Sequence, residues 1–186
     1  MLYFGNAFYN IFDEIDLSLF FEENEIIFNT SKMSGAVNSM FNNCYFTRIP
    51  EISLVKTLTT TQTQMIMSCS KLHTIDRIIF SDTGNQKLNT GNFGLIQNCP
   101  LLKEVRFSGS ASNALRIKQC PILSKESILS FLQICNVSDG TSRTVTLPNT
   151  CTENKVSTEV FISQDEELSS ALAVANENGY TVVFSD

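Results

Sequence analysis

The apolar residues of the first two thirds of the chain fall in short blocks that repeat. After Cys44, Cys69 and Cys99 comes an apolar pair three residues apart: Phe46 and Ile49, Leu72 and Ile75, Leu102 and Val105. In the third copy Leu102-Lys103-Glu104-Val105-Arg106-Phe107 fills every apolar place of L-x-x-L-x-L. An earlier copy lacks the cysteine: Ala7-Phe8-Tyr9-Asn10-Ile11 parallels Met40-Phe41-Asn42-Asn43-Cys44, and Phe12-Asp13-Glu14-Ile15-Asp16-Leu17 is again L-x-x-L-x-L. The cysteines Cys44, Cys69, Cys99 and Cys120 are separated by 25, 30 and 21 residues. These irregular spacings lie near the roughly 20–29 residues of leucine-rich repeats.

Each copy predicts one short strand whose apolar side chains enter a core shared with its neighbours, because a single copy cannot bury that face alone. A polar residue, Asn43, Ser68, Asn98 or Gln119, stands before each of the four cysteines. At that place the chain turns inward, and a small, weakly polar side chain fits. Cysteine meets that need as a small buried hydrophobe with a weak donor. The four cysteines are thus expected to be reduced and stacked as a ladder, with disulfide pairing the alternative reading of an even cysteine count.

The pattern changes after Leu123. Ser124 is a suitable N-cap, with Glu126 near the favourable end of the helix dipole. Ile128, Leu129, Phe131, Leu132 and Cys135 give a broad apolar helical face. Arg143 to Leu147 alternates as a strand, with Val145 and Leu147 on one side. Ser163 and Glu166 have the spacing of a capping box. Leu168, Ala171, Leu172 and Ala175 follow at helical spacing, and Gly179 stands where a helix C′ residue belongs. Tyr180 to Phe184 reads as a closing strand. Two helices and two strands are therefore expected to cover the open end of the repeats.

Two stretches resemble a known family. Phe28-Asn29-Thr30-Ser31-Lys32-Met33 with Asn38-Ser39-Met40-Phe41-Asn42-Asn43-Cys44, and Asn98-Cys99-Pro100-Leu101-Leu102-Lys103-Glu104-Val105, resemble the BspA-like branch of the leucine-rich repeats. Cys120-Pro121-Ile122-Leu123-Ser124-Lys125-Glu126-Ser127-Ile128-Leu129 is similar to the segment that closes repeat arrays in many gut-bacterial and phage tail-associated proteins. In those proteins a threonine-rich strand, an acidic helix and a final strand follow. Here the counterparts are Thr144-Val145-Thr146-Leu147, the stretch from Gln164 to Asn178, and Asn178-Gly179-Tyr180-Thr181-Val182. The resemblance implies an α/β fold: a short, irregular leucine-rich-repeat solenoid over residues 1–123 and a C-terminal αβαβ cap over 124–186, forming one continuous domain. It also implies a place on a virion or a bacterial cell surface.

Composition narrows the functions. The net charge of −6 comes from 13 basic and 19 acidic residues. No basic stripe of the kind that binds nucleic acid or an anionic membrane is present. No apolar run approaches the roughly 18 residues of a membrane span, and Met1 to Asn10 lacks the basic start of a signal peptide. Cysteine and histidine lack metal-ligand spacing. Gly91-Asn92-Phe93-Gly94 is not a phosphate-binding loop. The single histidine, His73, sits in no nucleophile motif. No enzymatic activity, cofactor or metal is expected.

The x positions of L-x-x-L-x-L point outward and mark the expected binding face. They are Asp13, Glu14 and Asp16 in the first copy, Thr47 and Arg48 in the second, His73, Thr74 and Asp76 in the third, and Lys103, Glu104 and Arg106 in the fourth. Their mixed charge suits a protein or carbohydrate partner. The leading expectation is a recognition module. The alternative is an assembly domain, because repeat-like sequence begins by Ala7 with no cap before it, which predicts contact with a second copy or with the parent chain at that edge.

Overall fold

A computed structural model describes residues 8–9, 28–29, 41–54, 64–80, 93–112, 114–151 and 156–186. The chain is α/β, with two parallel sheets that do not close into a barrel and three helices among the described residues. The strands are β1 (Phe8–Tyr9), β2 (Phe28–Asn29), β3 (Phe41–Asn42), β4 (Arg48–Ile49), β5 (Ile52–Leu54), β6 (Gln64–Met67), β7 (Thr74–Phe80), β8 (Phe93–Gln97), β9 (Glu104–Gly109), β10 (Leu115–Lys118), β11 (Arg143–Leu147) and β12 (Tyr180–Phe184). The helices are α1 (Lys125–Gln133), α2 (Thr158–Gln164) and α3 (Glu166–Glu177).

The first sheet has seven strands in the order β1-β3-β6-β8-β10-β11-β12. The second has β2, β5, β7 and β4, with β9 also paired to β7. The copies at Cys44, Cys69 and Cys99 therefore supply a strand before the cysteine as well as the expected strand structure after it, and the copy at Cys120 supplies only the one before, β10. The strand before the cysteine escapes a periodicity reading because Met65 and Ile66, and likewise Leu95 and Ile96, are adjacent and both buried. Such a run does not alternate, and a short continuous apolar run does not identify itself as a strand.

The turn at each of these cysteines has one geometry. Asn43, Ser68, Asn98 and Gln119 all lie in the left-handed region, with φ of 54°, 56°, 54° and 53°. The cysteine that follows donates its thiol to the carbonyl two residues back: Cys44 to Asn42, Cys69 to Met67, Cys99 to Gln97 and Cys120 to Lys118, over 3.3 to 3.6 Å. The turn amides bond to the next copy, Asn43 to the Met67 carbonyl at 2.8 Å, Ser68 to Gln97 at 3.0 Å and Asn98 to Lys118 at 3.1 Å. The side chains stack in matching rows. Phe41, Ile66, Ile96 and Ile117 are in register and buried. The second sheet adds Ile49, Ile75 and Val105. All six cysteines are free and buried, as the ladder reading expects of four of them.

Beyond the repeats Ser124 caps α1, accepting the Ser127 amide on its hydroxyl. Ile128, Phe131 and Leu132 of α1 enter the core. Phe107 and Phe131 meet edge to face at 5.5 Å between ring centres. Where the second sheet would add a strand after β9, it meets α1 instead. Arg143–Leu147 and Tyr180–Phe184 form strands as expected, paired in register along their full length.

Two local expectations are corrected. Three helices, not two, follow the repeats, because α2 precedes α3. The Ser163–Glu166 capping box does not form. Ser163 lies inside α2 and donates its hydroxyl to the Val160 carbonyl at 2.8 Å. Asp165 ends α2 in an extended conformation and caps α3, accepting the Glu167 and Leu168 amides at 3.1 Å. A carboxylate that also meets Lys125 at 2.9 Å competes better for this position than a hydroxyl already committed to its own helix. Gly179 takes φ +87° after the C-cap residue Asn178, as its place in the sequence requires.

Candidate functional site

The outer surface of the second sheet collects the described candidates. Arg48, Thr74 and Glu104 lie side by side in register on β4, β7 and β9. Thr47, His73 and Lys103 occupy the preceding row at the strand entrances. There the Thr47 carbonyl accepts the His73 and Thr74 amides, and the His73 carbonyl accepts those of Lys103 and Glu104. His73, Lys103 and Arg106 are exposed, while Thr47, Arg48, Thr74, Asp76 and Glu104 are half-buried. Asp13, Glu14 and Asp16 lie outside the described residues.

Several polar side chains on this face are engaged in pairs. Arg48 Nε donates to Asp76 Oδ1 at 2.7 Å, across 28 residues of sequence. The Ser124 hydroxyl donates to Glu104 Oε2 at 3.0 Å, tying the face to the start of α1. Arg77 Nε lies 3.4 Å from Glu51 Oε2, with both side chains more than a third exposed.

Glu51 and Arg77 belong to this face and were not anticipated. A register shift explains them. Ile75 pairs with Val105 but Ile78 pairs with Phe107, so Asp76 and Arg77 together face Arg106 alone. On the other side Ile49 pairs with Ile75 and Ile52 with Ile78, so Pro50 and Glu51 match Asp76 and Arg77 without a shift. A bulge of this kind re-aims side chains. Its signal was present in the spacing. Phe46, Ile49 and Ile52, and then Leu72, Ile75 and Ile78, are spaced by three and three, whereas Leu102, Val105 and Phe107 are spaced by three and two.

The buried thiols are not poised for chemistry. Burial pushes Cys135 up to about 12 and Cys151 up to about 12. For Cys69 the Cys44 thiol pulls down while the Cys99 thiol and burial push up, leaving it at about 12. The Cys120 thiol raises Cys99, opposed by Cys69 and reinforced by burial. These groups are protonated thiols near neutral pH, the inert form of cysteine. Among the described residues no group of three or more histidine, cysteine and carboxylate side chains could hold a metal. No helix among them is long and apolar enough to cross a membrane. A groove of about 320 Å³ lies between α1 and α3, lined mainly by Leu129, Leu132, Ala171 and Val174.

No protein-family model, curated protein or solved structure matches this chain.

Proposed function

We propose that the chain is a short, irregular leucine-rich-repeat solenoid of the BspA-like kind, closed by its C-terminal helices and strands. In this reading it acts as a non-catalytic recognition module. The partner is a protein or glycan that lies across the outer face of β4, β7 and β9, in a phage tail or a bacterial surface protein. One observation carries this reading. Side chains distant in sequence, among them Arg48 with Asp76 and Glu51 with Arg77, are held in fixed order on one parallel sheet face. Donors and acceptors ordered in advance cost less to immobilise on binding. Extended strand faces are where stacked-repeat proteins bind.

The experiment is retention of the purified chain on bacterial cells or a glycan array, with Arg106→Glu and His73→Ala beside the native sequence. Both residues are exposed, so neither change disturbs the core. Reduced retention by both, with an unchanged unfolding midpoint, supports the face. Unchanged retention removes it.

The second reading is an assembly domain docked through the N-terminal edge. It is favoured by β1 and β2, which stand at the ends of the strand orders of their sheets. Loss of cell binding together with binding to segments of a parent chain would select it.

A further inference from the structure

Charge is sorted by depth on the outer face of β4, β7 and β9. Among the described residues, the exposed polar side chains of these strands and their entrances are His73, Arg77, Lys103 and Arg106: three cations and an imidazole. The acids of the face, Glu51, Asp76 and Glu104, are half-buried. Each already has a donor: Arg77 for Glu51, Arg48 for Asp76 and the Ser124 hydroxyl for Glu104. Arg77 stays 54% exposed despite its pairing. The face thus presents positive charge outward on a chain whose net charge is −6.

The four exposed groups form two clusters. His73 and Lys103 are neighbours at the strand entrances, where the His73 carbonyl accepts the Lys103 amide at 3.0 Å. Arg77 and Arg106 lie across from each other at the bulge. Lys103 and Arg106 are three residues apart, about 10 Å of extended strand. Between the clusters the rows hold Thr74, Asp76 and Glu104, whose oxygens accept hydrogen bonds.

We propose that this face binds an acidic polysaccharide in which a uronic acid alternates with a neutral sugar. The inference rests on the reading of the face as the binding surface and names the ligand class. One carboxylate takes the Arg77–Arg106 cluster, where guanidinium groups match its planar geometry. The next carboxylate, two sugar rings along the chain, takes the His73–Lys103 cluster. The neutral sugar between them gives its hydroxyl protons to Asp76, Glu104 and Thr74. A further carboxylate at that middle place would be repelled by Asp76 and Glu104, so a polymer charged at every unit fits worse. The net negative charge of the chain likewise repels a dense polyanion, whereas widely spaced carboxylates meet only the two cationic clusters.

The test is calorimetric titration of the full chain with hyaluronan oligosaccharides, which alternate glucuronic acid with N-acetylglucosamine. Carboxyl-reduced hyaluronan and polyglutamate serve as the neutral glycan and the acidic peptide. Hyaluronan should bind, more weakly as salt rises, and more tightly than either control. Lys103→Glu and Arg106→Glu should each weaken it by roughly tenfold or more, with an unchanged melting temperature. Equal binding of the carboxyl-reduced polymer, or of polyglutamate, overturns the proposal. So does a failure to bind hyaluronan. If the chain then still holds to bacterial cells in a way that Arg106→Glu abolishes, the face remains the binding surface and only the ligand class falls. Hyaluronan binding that ignores both substitutions overturns the site, and cell retention that also ignores them removes the face with it.

Discussion

The Ser127 hydroxyl accepts the Val105 amide at 2.9 Å and donates to the Lys103 carbonyl at 3.1 Å. One turn along α1, the Ser130 hydroxyl accepts the Phe107 amide at 3.2 Å. Two helical side chains thus take over the bonds that another strand would have made to β9. An open parallel edge buried against a helix would otherwise leave these groups unsatisfied, at about 1–3 kcal/mol for each.

Ser127→Ala should therefore destabilise the fold by about 1–3 kcal/mol, and Ser130→Ala by less, since its bonds are longer and it is half-buried. Urea unfolding of both variants checks this. Equal, negligible losses would show that water replaces the hydroxyls at this edge.

The buried thiols set a limit at alkaline pH. In the unfolded chain they release protons near the ordinary value of 9.0, whereas the folded chain holds those of Cys69, Cys135 and Cys151 to about 12. Between these values the unfolded state binds fewer protons, so stability falls as pH rises. Below 9 this contribution is complete and constant. Tyr180, raised mainly by burial from 10.0 to about 12, acts in the same direction. The melting temperature should be insensitive to these groups from pH 7 to pH 8 and drop progressively above 9, with a shallower drop in Cys135→Ala. A flat profile to pH 11 would show that the thiols gain solvent in the native state.

What could be read in the sequence was local. The cysteine recurrence located all four left-handed turns, because the polar residue before each cysteine is the one that takes positive φ. Ser124, Gly179 and the two C-terminal strands were legible for the same reason. The first-sheet strands β3, β6 and β8 were not, since adjacent residues in them are buried together: Phe41 with Asn42, Met65 with Ile66, and Leu95 with Ile96. Nor was the Arg48–Asp76 contact, which joins residues 28 apart in sequence on the neighbouring strands β4 and β7. The cap of α3 turned on a competition between Ser163 and Asp165 that only the placement of Lys125 decides.

The turns make a graded prediction. A non-glycine residue in the left-handed region is strained by roughly 1–2 kcal/mol, with asparagine the best tolerated. Gln119→Gly should thus stabilise the fold by about 0.5–1 kcal/mol, whereas Asn98→Gly should change little or lose stability, since its amide donates to the Ser68 hydroxyl at 3.2 Å. Gln119→Val should destabilise, because a β-branched side chain fits this region worst. Thermal melts of the three variants should rank them in that order. The reverse order for the two glycine variants would show that the Gln97–Gln119 contact at 3.5 Å outweighs backbone strain.

Arg143 gives the largest expected effect. Its side chain is only 5% exposed, yet every direction is answered. Nε donates to the Ser112 carbonyl at 2.9 Å, Nη1 to those of Thr141 and Val137, and Nη2 to Asp139 at 2.6 Å. The guanidinium carbon lies 5.3 Å from the centre of the Tyr180 ring. Arg143→Met keeps the volume but strands several carbonyls, and should cost about 3–5 kcal/mol. Asp139→Asn should cost far less, since half of that carboxylate is exposed. The bond from Arg143, with the Thr141 amide, holds Asp139 well below the usual carboxylate range. Its contribution is present above the ordinary pKa and is lost only in strong acid, as pH falls through the depressed value. Unfolding midpoints at pH 7 should separate the two variants clearly. If instead they destabilise equally, the ion pair rather than the carbonyl cage holds β11 and β12 together.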